Sequence, residues 1–349
     1  MDRKSNIRAV AAAAGVSPAT ASRVLNGNPR VDPALTEKVL AAARALGYRQ
    51  TAQRSGLTRN IVFVVPSLGD TYYASVVDGM VDAAAAHGMG VTVLITHADA
   101  ERELECLRTA CASSTAGIVF TPTSAQDPYE AVPALRSLPL VITGPRLQLD
   151  GASNIYLDGV STAYIATRYL LRLGHRNIVF LANFWRSHIG SYEEFMQEYA
   201  SERHCYFSAY DRYDGFCRAL AEEGLSPDPA LTLFGGFSYE SGYAAVRQLL
   251  GAAINFDAIL APNDRVGAGA MRMLREQGLR VPEQVSILCL NGSILSELVS
   301  PTLTSMEAEN PYMGAAAVDQ ILKLQRGGEP ESVRIPASLN IRGSTAALG

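Results

Sequence analysis

The residues with the clearest chemical potential lie near the N-terminus, on one side of a short segment with helical spacing. Four of them fall at positions i, i+3, i+4 and i+7 and would share one helix face: Ala19, Ser22, Arg23 and Asn26. The opposite face carries an apolar stripe: Ala21, Val24 and Leu25. The outer face is therefore small, polar and cationic, which suits contact with phosphates and base edges.

The helix that carries this face has clear start and stop signals. Ser17 can cap its N-terminus, Pro18 suits the first helical position, and Gly27 favours its end. A second apolar stripe with helical spacing lies just upstream: Ile7, Val10, Ala11 and Ala14. Two short helices joined by a tight turn are typical of a helix-turn-helix, whose second helix enters the major groove of DNA. The periodicity alone leaves an ordinary helical hairpin open.

A third helix is predicted to start at Asp32 and Pro33 and to end at Gly47, with an inner stripe at four positions: Leu35, Val39, Ala42 and Leu46. Tyr48 is predicted to close this small core. Residues 49–60 are polar and contain glycine, so they are interpreted as a linker.

The charge is distributed unevenly along the chain. Residues 1–60 contain ten Lys/Arg and three Asp/Glu, a net charge of +7, while the other 289 residues contain 20 and 31, a net charge of −11. A basic head on an acidic body indicates that the head alone meets a polyanion. The basic side chains available for phosphates are Arg3, Lys4, Arg8, Arg30, Arg49, Arg54 and Arg59.

Composition excludes several classes of protein. The chain has 349 residues, of which 48% are hydrophobic and 18% charged, as expected for two or three globular domains. The polar start and the absence of a long apolar run predict no secretory signal, no membrane contact and a cytoplasmic location. Five scattered cysteines argue against a disulfide framework. We find no catalytic motif and no metal-binding spacing, and His188, His204 and Cys205 do not form one, so neither an enzyme nor a cofactor is expected.

From Ile61 onward, buried-type strands alternate with amphipathic helices. Strands are predicted at 61–65, 91–95, 117–121 and 140–143, with helices at 75–87 and 101–112. A second series starts near Asn154, with strands at 178–181, 231–234, 258–260 and 285–290. Apolar strands separated by helices indicate doubly wound parallel sheets, so the body is predicted to contain two α/β subdomains.

Residues 7–26, followed by 31–48, resemble the DNA-binding headpiece of the LacI/GalR family of bacterial transcription regulators, and the resemblance continues in patches to the C-terminus. It implies an all-α helix-turn-helix headpiece at 1–48, a hinge at 49–60, and a periplasmic-binding-protein-like body at 61–340. The N-subdomain would comprise 61–157 and 306–330, and the C-subdomain 158–305 and 331–340. The chain would cross between them three times and leave a ligand-binding cleft.

For DNA, the resemblance implies that Leu57 wedges into the minor groove from a hinge helix. Gln50 and Thr51 replace the usual Pro-Asn, and Gly56 weakens a helix, so packing of Leu57 on the neighbouring domain stays open. The complete predicted set of DNA-binding residues is Pro18, Ala19, Thr20, Ser22, Arg23, Asn26 and Leu57.

For a small-molecule effector, the resemblance implies a site at the strand ends of both subdomains. The predicted residues are Tyr72, Tyr73, Arg146, Arg212, Phe237, Asn263, Asp264 and Asn291. Two alternatives remain: Tyr72 and Tyr73 as packing residues, and Asn263 as a helix cap. A cap and a ligand contact can coexist.

Three departures from the family pattern affect the ligand. Gly144-Pro145-Arg146 and Asn291 stand where the family's sugar binders often carry aspartates, which favours an acidic or phosphorylated sugar over a neutral one. Residues 184–206 form an insertion that is predicted to be either a lid on the cleft or a surface helix for a partner.

The sequence therefore predicts a transcription regulator, most simply a repressor, that binds a pseudo-palindromic operator under control of a small-molecule effector. A C-terminus without leucine heptads predicts a homodimer. A transport-type solute-binding protein would share the body, but the basic headpiece and the absence of a signal sequence oppose that alternative.

Overall fold

The computed structural model describes residues 7–25, 32–46, 60–69, 71–112, 115–124, 127–145, 147, 149–185, 189–201, 207–308 and 310–349. The chain forms two compact units, residues 1–58 and 59–349. Three of the predicted site residues, Asn26, Leu57 and Arg146, lie outside the described residues, as do His188, His204 and Cys205.

The described part of the first unit contains three helices: α1 (Ile7–Ala14), α2 (Pro18–Leu25) and α3 (Pro33–Ala45). The Ser17 hydroxyl accepts a hydrogen bond from the Thr20 amide at 3.1 Å, so it caps α2 as expected. Gly15 has φ +65°, which lets the chain turn sharply between α1 and α2. The helices pack around a small apolar core: Val10, Ala11, Ala21, Val24, Val39 and Ala43. The predicted core position Leu46 lies beyond the end of α3 and is 41% exposed, so Ala43 takes its place.

The body contains two six-stranded sheets. The strands of the first are β1 (Asn60–Val65), β2 (Gly90–Ile95), β3 (Thr115–Phe120), β4 (Leu140–Gly144), β5 (Ala152–Leu157) and β11 (Ser332–Ile335). They are all parallel, in the order β11-β5-β4-β3-β1-β2. The accompanying helices are α4 (Thr71–Ala86), α5 (Ala100–Ala112), α6 (Pro128–Ala131) and α13 (Asn310–Gln325).

The strands of the second sheet are β6 (Ile178–Asn183), β7 (Thr232–Gly235), β8 (Ala258–Ala261), β9 (Ser286–Cys289), β10 (Thr304–Ala308) and β12 (Ala337–Asn340). Their order is β12-β10-β9-β8-β6-β7, and only the β10–β12 pair is antiparallel. The accompanying helices are α7 (Gly159–Arg172), α8 (Tyr192–Tyr199), α9 (Ser208–Glu222), α10 (Tyr239–Gly251), α11 (Asp264–Glu276) and α12 (Leu295–Leu298). This architecture confirms the predicted fold class of two doubly wound subdomains.

The chain crosses between the two sheets three times, after β5, after β10 and between β11 and β12. The crossing points differ from those expected. The strand Thr304–Ala308 pairs entirely within the second sheet, and Ser332–Ile335 pairs with β5 in the first. The second crossing therefore follows Ala308 rather than residue 305, and the third lies at Pro336 rather than residue 330.

Each sheet reverses its strand order at one point, and the loops at that point flank a crevice. In the first sheet the switch lies between β1 and β3, and in the second between β6 and β8. The loops after these four strands begin near Pro66, Thr121, Phe184 and Pro262. No helix among the described residues is long and apolar enough to span a membrane.

Candidate functional site

A cavity of about 90 Å³ lies between the two subdomains, at the carboxyl ends of both sheets. Its walls include Pro122, Trp185 and Pro262 from three of the switch-point loops, and Tyr73 from α4, the helix that follows the fourth. Parallel strands direct their ends to one edge, so these loops converge although they are far apart in sequence. Six of the eight predicted effector residues line the cavity: Tyr72, Tyr73, Arg212, Phe237, Asn263 and Asn291.

Tyr72 and Tyr73 belong to the core of the first subdomain and also reach the cavity wall. Each is only 7% exposed, and their rings meet edge to face with centroids 4.8 Å apart. The Tyr72 hydroxyl also donates to the Met313 sulfur at 3.0 Å. Tyr72 and Tyr73 therefore both pack in the core and line the cavity.

Arg212 lies on α9 and is half-buried at the cavity. Its Nη1 donates to the Pro262 carbonyl oxygen at 3.2 Å, which ties α9 to the loop after β8. A guanidinium carries five N–H donors in a planar fork whose geometry matches that of a carboxylate or phosphate.

Asn263 and Asp264 face different surroundings. Asn263 Oδ1 accepts from the Val266 amide at 2.9 Å and caps α11, while Asn263 also lines the cavity. The Asp264 carboxylate instead accepts from the Ser293 amide at 2.8 Å and the Ser293 hydroxyl at 2.5 Å. Asp264 is not among the cavity-lining residues; it holds the loop after β9, which carries Asn291. The structure thus separates a pair that the sequence analysis grouped together.

Sequence analysis missed Glu103, a buried carboxylate that positions one of the cavity loops. It accepts hydrogen bonds from the Thr123 amide at 2.9 Å, the Thr123 hydroxyl at 2.6 Å and the Ser124 hydroxyl at 2.7 Å. Burial raises the pKa of the Glu103 carboxyl, although these hydrogen bonds oppose the shift. The preceding residues Thr121 and Pro122 line the cavity. Nothing in the spacing of Glu103 distinguished it from a solvated helix residue.

The described part of the insertion contributes to the cavity wall and to the core of the second subdomain. Its helix α8 buries Phe195 completely in the core of the second subdomain. The Tyr192 hydroxyl lies 2.7 Å from the Tyr213 hydroxyl of α9. Within the described part of the insertion, α8 packs on the body and Trp185 reaches the cavity, a role that the sequence did not assign to Trp185.

One face of α2 is exposed to solvent in the described part of the headpiece. Pro18, Ala19 and Arg23 are exposed and Thr20 is half-buried, while Ala21 and Val24 face the core. Ser22 lies on the same helix. The Thr20 hydroxyl lies 2.9 Å from that of Ser17, so Thr20 also takes part in the cap. Among the described residues, no group of three His, Cys, Asp or Glu is placed to hold a metal ion.

Comparison with known proteins agrees with this division of the chain. The family model "Bacterial regulatory proteins, lacI family" matches residues 6–50, and a periplasmic binding protein-like domain matches residues 167–345. Catabolite control protein A of Priestia megaterium is 28% identical over 342 residues, covering 96% of this chain and 98% of the relative.

Solved structures show the same fold. A complex of the transcriptional regulator CelR with cellobiose has a TM-score of 0.70 and 27% identity, covering 97% of this chain and 99% of that one. A lac repressor dimer bound to operator and the anti-inducer ONPF has a TM-score of 0.69 and 24% identity, covering 99% and 100%. A helix-turn-helix headpiece on a two-subdomain binding body defines a DNA-binding transcription regulator. The chain belongs to the lacI family of bacterial regulatory proteins.

Proposed function

We propose that the protein is a homodimeric repressor whose affinity for a pseudo-palindromic operator is controlled by a small sugar-derived acid or phosphate in the interdomain cleft. The observation that carries the proposal is the cavity at both switch points, with Arg212 and aromatic rings in its wall. The cavity has a volume of about 90 Å³ and is lined by residues of both subdomains, so a small ligand in it would contact both of them.

The residues around the cavity favour an anionic ligand. Arg212 is a cation at the wall, and the strand ends carry Gly144 and Asn291 rather than carboxylates. A carboxylate there would repel an anion, whereas the Asn291 amide can donate hydrogen bonds to it. Regulation follows if the effector prefers one arrangement of the two subdomains, with a coupling free energy of roughly 1 to 3 kcal/mol.

Selection from random-sequence duplex DNA with the full chain tests the regulatory part of the proposal. We expect a pseudo-palindromic site, because a two-fold dimer presents two recognition helices in symmetric orientations. Sedimentation of the selected complex should show two chains per site. If the selection yields no preferred sequence at physiological salt, the proposal is wrong.

Replacing Arg212 with alanine tests the effector part. In a thermal-shift screen of sugar acids and sugar phosphates, a ligand that binds only the folded wild type raises its melting temperature. We expect Arg212→Ala to weaken that ligand by about 10- to 150-fold in calorimetric titration, since a hydrogen bond to a charged group is worth about 1.5 to 3 kcal/mol. The matched control is Arg218→Ala, an exposed arginine on the same helix, which should leave affinity unchanged. Equal affinity of the Arg212 variant and wild type would refute an arginine-held anion.

A further inference from the structure

Trp185 is the only tryptophan in the chain, and it spans the cleft. It follows β6 of the second subdomain, yet its indole packs against the core of the first. Its ring centroid lies 5.9 Å from that of Tyr73 and 4.9 Å from that of Phe237. The three rings form a continuous aromatic wall from one subdomain to the other.

The residue before Trp185 is held in the core of the second subdomain. The Phe184 amide donates to the Gly235 carbonyl oxygen at 2.9 Å, which continues the β6–β7 pairing by one residue. Phe184 is 1% exposed and lies in the core of the second subdomain. Phe184 therefore lies in the core of the second subdomain, while Trp185, the next residue, lines the cavity.

The inserted helix contributes one of the aromatic rings that surround Phe184. Its ring is within 6.4 Å, centroid to centroid, of Phe195 from α8 and within 5.5 Å of Phe207, which directly precedes α9. Phe195 stacks in turn on Tyr210 of α9 at 4.9 Å. Aromatic pairs in such offset and edge-to-face geometries stabilise one another beyond their buried area. The inserted helix therefore packs against Phe184, the residue that precedes Trp185 of the cavity wall.

We propose that Trp185 is the specificity-determining residue of the cleft: its indole limits the effector to a single sugar-sized ring and stacks on that ring. A ligand of two rings must displace the indole, which breaks the contact with Tyr73 across the cleft. The inference rests on the proposed function, since it concerns the ligand of the same site.

Fluorescence of the protein without ligand tests the cross-cleft packing. Because Trp185 is the sole tryptophan, emission excited at its absorption band reports this position alone. Removing the ring at Tyr73 takes away one of the aromatic neighbours of the indole, so Tyr73→Ala should raise the acrylamide quenching constant about twofold or more. The control Tyr312→Ala removes a tyrosine that is 55% exposed on α13 and should leave quenching unchanged. Identical quenching of wild type and Tyr73→Ala would overturn the packing.

A ligand panel tests the size limit. Wild type, Trp185→Phe and Trp185→Ala are screened by thermal shift against hexuronic acids, hexose phosphates and hexoses, and against cellobiose, maltose and lactose. We expect wild type and Trp185→Phe to bind single-ring probes only. Trp185→Ala should gain at least one disaccharide and should bind the single-ring ligand about 2- to 10-fold more weakly, because the stacking is lost.

The outcomes separate this inference from the proposed function. If wild type binds a single-ring probe and Trp185→Ala keeps the same range of ligands, the size limit is wrong and the effector class stands. Binding of a disaccharide by wild type also overturns the size limit. If no chain binds any probe, the proposed effector class fails together with its size limit, and the quenching result still decides whether Trp185 packs across the cleft. Unfolding midpoints of the variants confirm that each one is folded.

Discussion

Replacement of Gly215 with alanine is expected to destabilise the body by about 3 kcal/mol, because the new methyl group has no space. Gly215 lies on α9, where α9 packs directly against the backbone of α7. An added Cβ would overlap the Val160 carbonyl oxygen and lie 2.8 Å from the Tyr164 amide nitrogen. Both are backbone atoms inside a helix, so they cannot move aside as the end of a flexible side chain would. Urea unfolding followed by far-ultraviolet circular dichroism measures the change.

Gly251→Ala is the matched control for this prediction. Gly251 is the last residue of α10, is exposed, and has no atom within 4 Å of the position of an added Cβ. Alanine there should be neutral or should stabilise by about 0.4 to 1 kcal/mol, because it restricts the unfolded chain. Equal unfolding midpoints for the Gly215 variant and wild type would show that α7 and α9 tolerate a wider separation. Arg212 is one helical turn before Gly215, so we also expect weaker effector binding.

The headpiece could be predicted from sequence because its signals are local. The capping hydroxyl of Ser17 and the apolar spacing of Val10, Ala21 and Val24 specify helices within a few residues of themselves. The end of α3 was predicted too late, because the apolar spacing that includes Leu46 continues past Ala43, the last buried position.

The doubly wound body was also predictable, but the crossing points of its chain were not. Central strands such as β1 and β8 are continuous apolar runs that are buried on both faces. The strands β11 and β12 have four residues each, with exposed positions and a single proline between them. Their pairing is decided by which sheet offers a free edge, and that information lies in other parts of the chain.

The cavity shows why neighbouring residues need not share a role. Asn263 and Asp264 are adjacent in sequence, but Asn263 is the cap and Asp264 the first residue of α11, so their side chains leave the backbone in different directions. Trp185 could not be assigned from the sequence because its neighbours in the cavity wall, Tyr73 and Phe237, are distant from it in the chain. Residue type alone indicated neither the separate roles of Asn263 and Asp264 nor the place of Trp185 in the cavity wall.

Replacement of Arg23 with alanine is expected to weaken binding to the selected operator by about 1 to 3 kcal/mol per half-site, a factor of roughly 5 to 150. Arg23 lies in the last turn of α2, exposed, on the face opposite the buried Ala21 and Val24. Of the exposed side chains described on this helix, it alone is long enough and rich enough in donors for bidentate contact with a guanine edge. Fluorescence anisotropy with labelled operator duplex measures the loss.

The variant should also lose discrimination, which separates base contact from phosphate contact. If Arg23 reads a base, Arg23→Ala weakens operator binding far more than binding to random duplex, and substitutions at one operator position cease to matter. A phosphate contact would instead weaken both duplexes equally and reduce the salt dependence of binding by about one ion. The control Lys38→Ala removes the same charge from an exposed site on α3 and should preserve the ratio of operator to random affinity. Arg23→Lys keeps the charge but not the planar fork of donors, so we expect an intermediate ratio of operator to random affinity for it. Equal losses of affinity on both duplexes for Arg23→Ala would show that other parts of the headpiece read the bases.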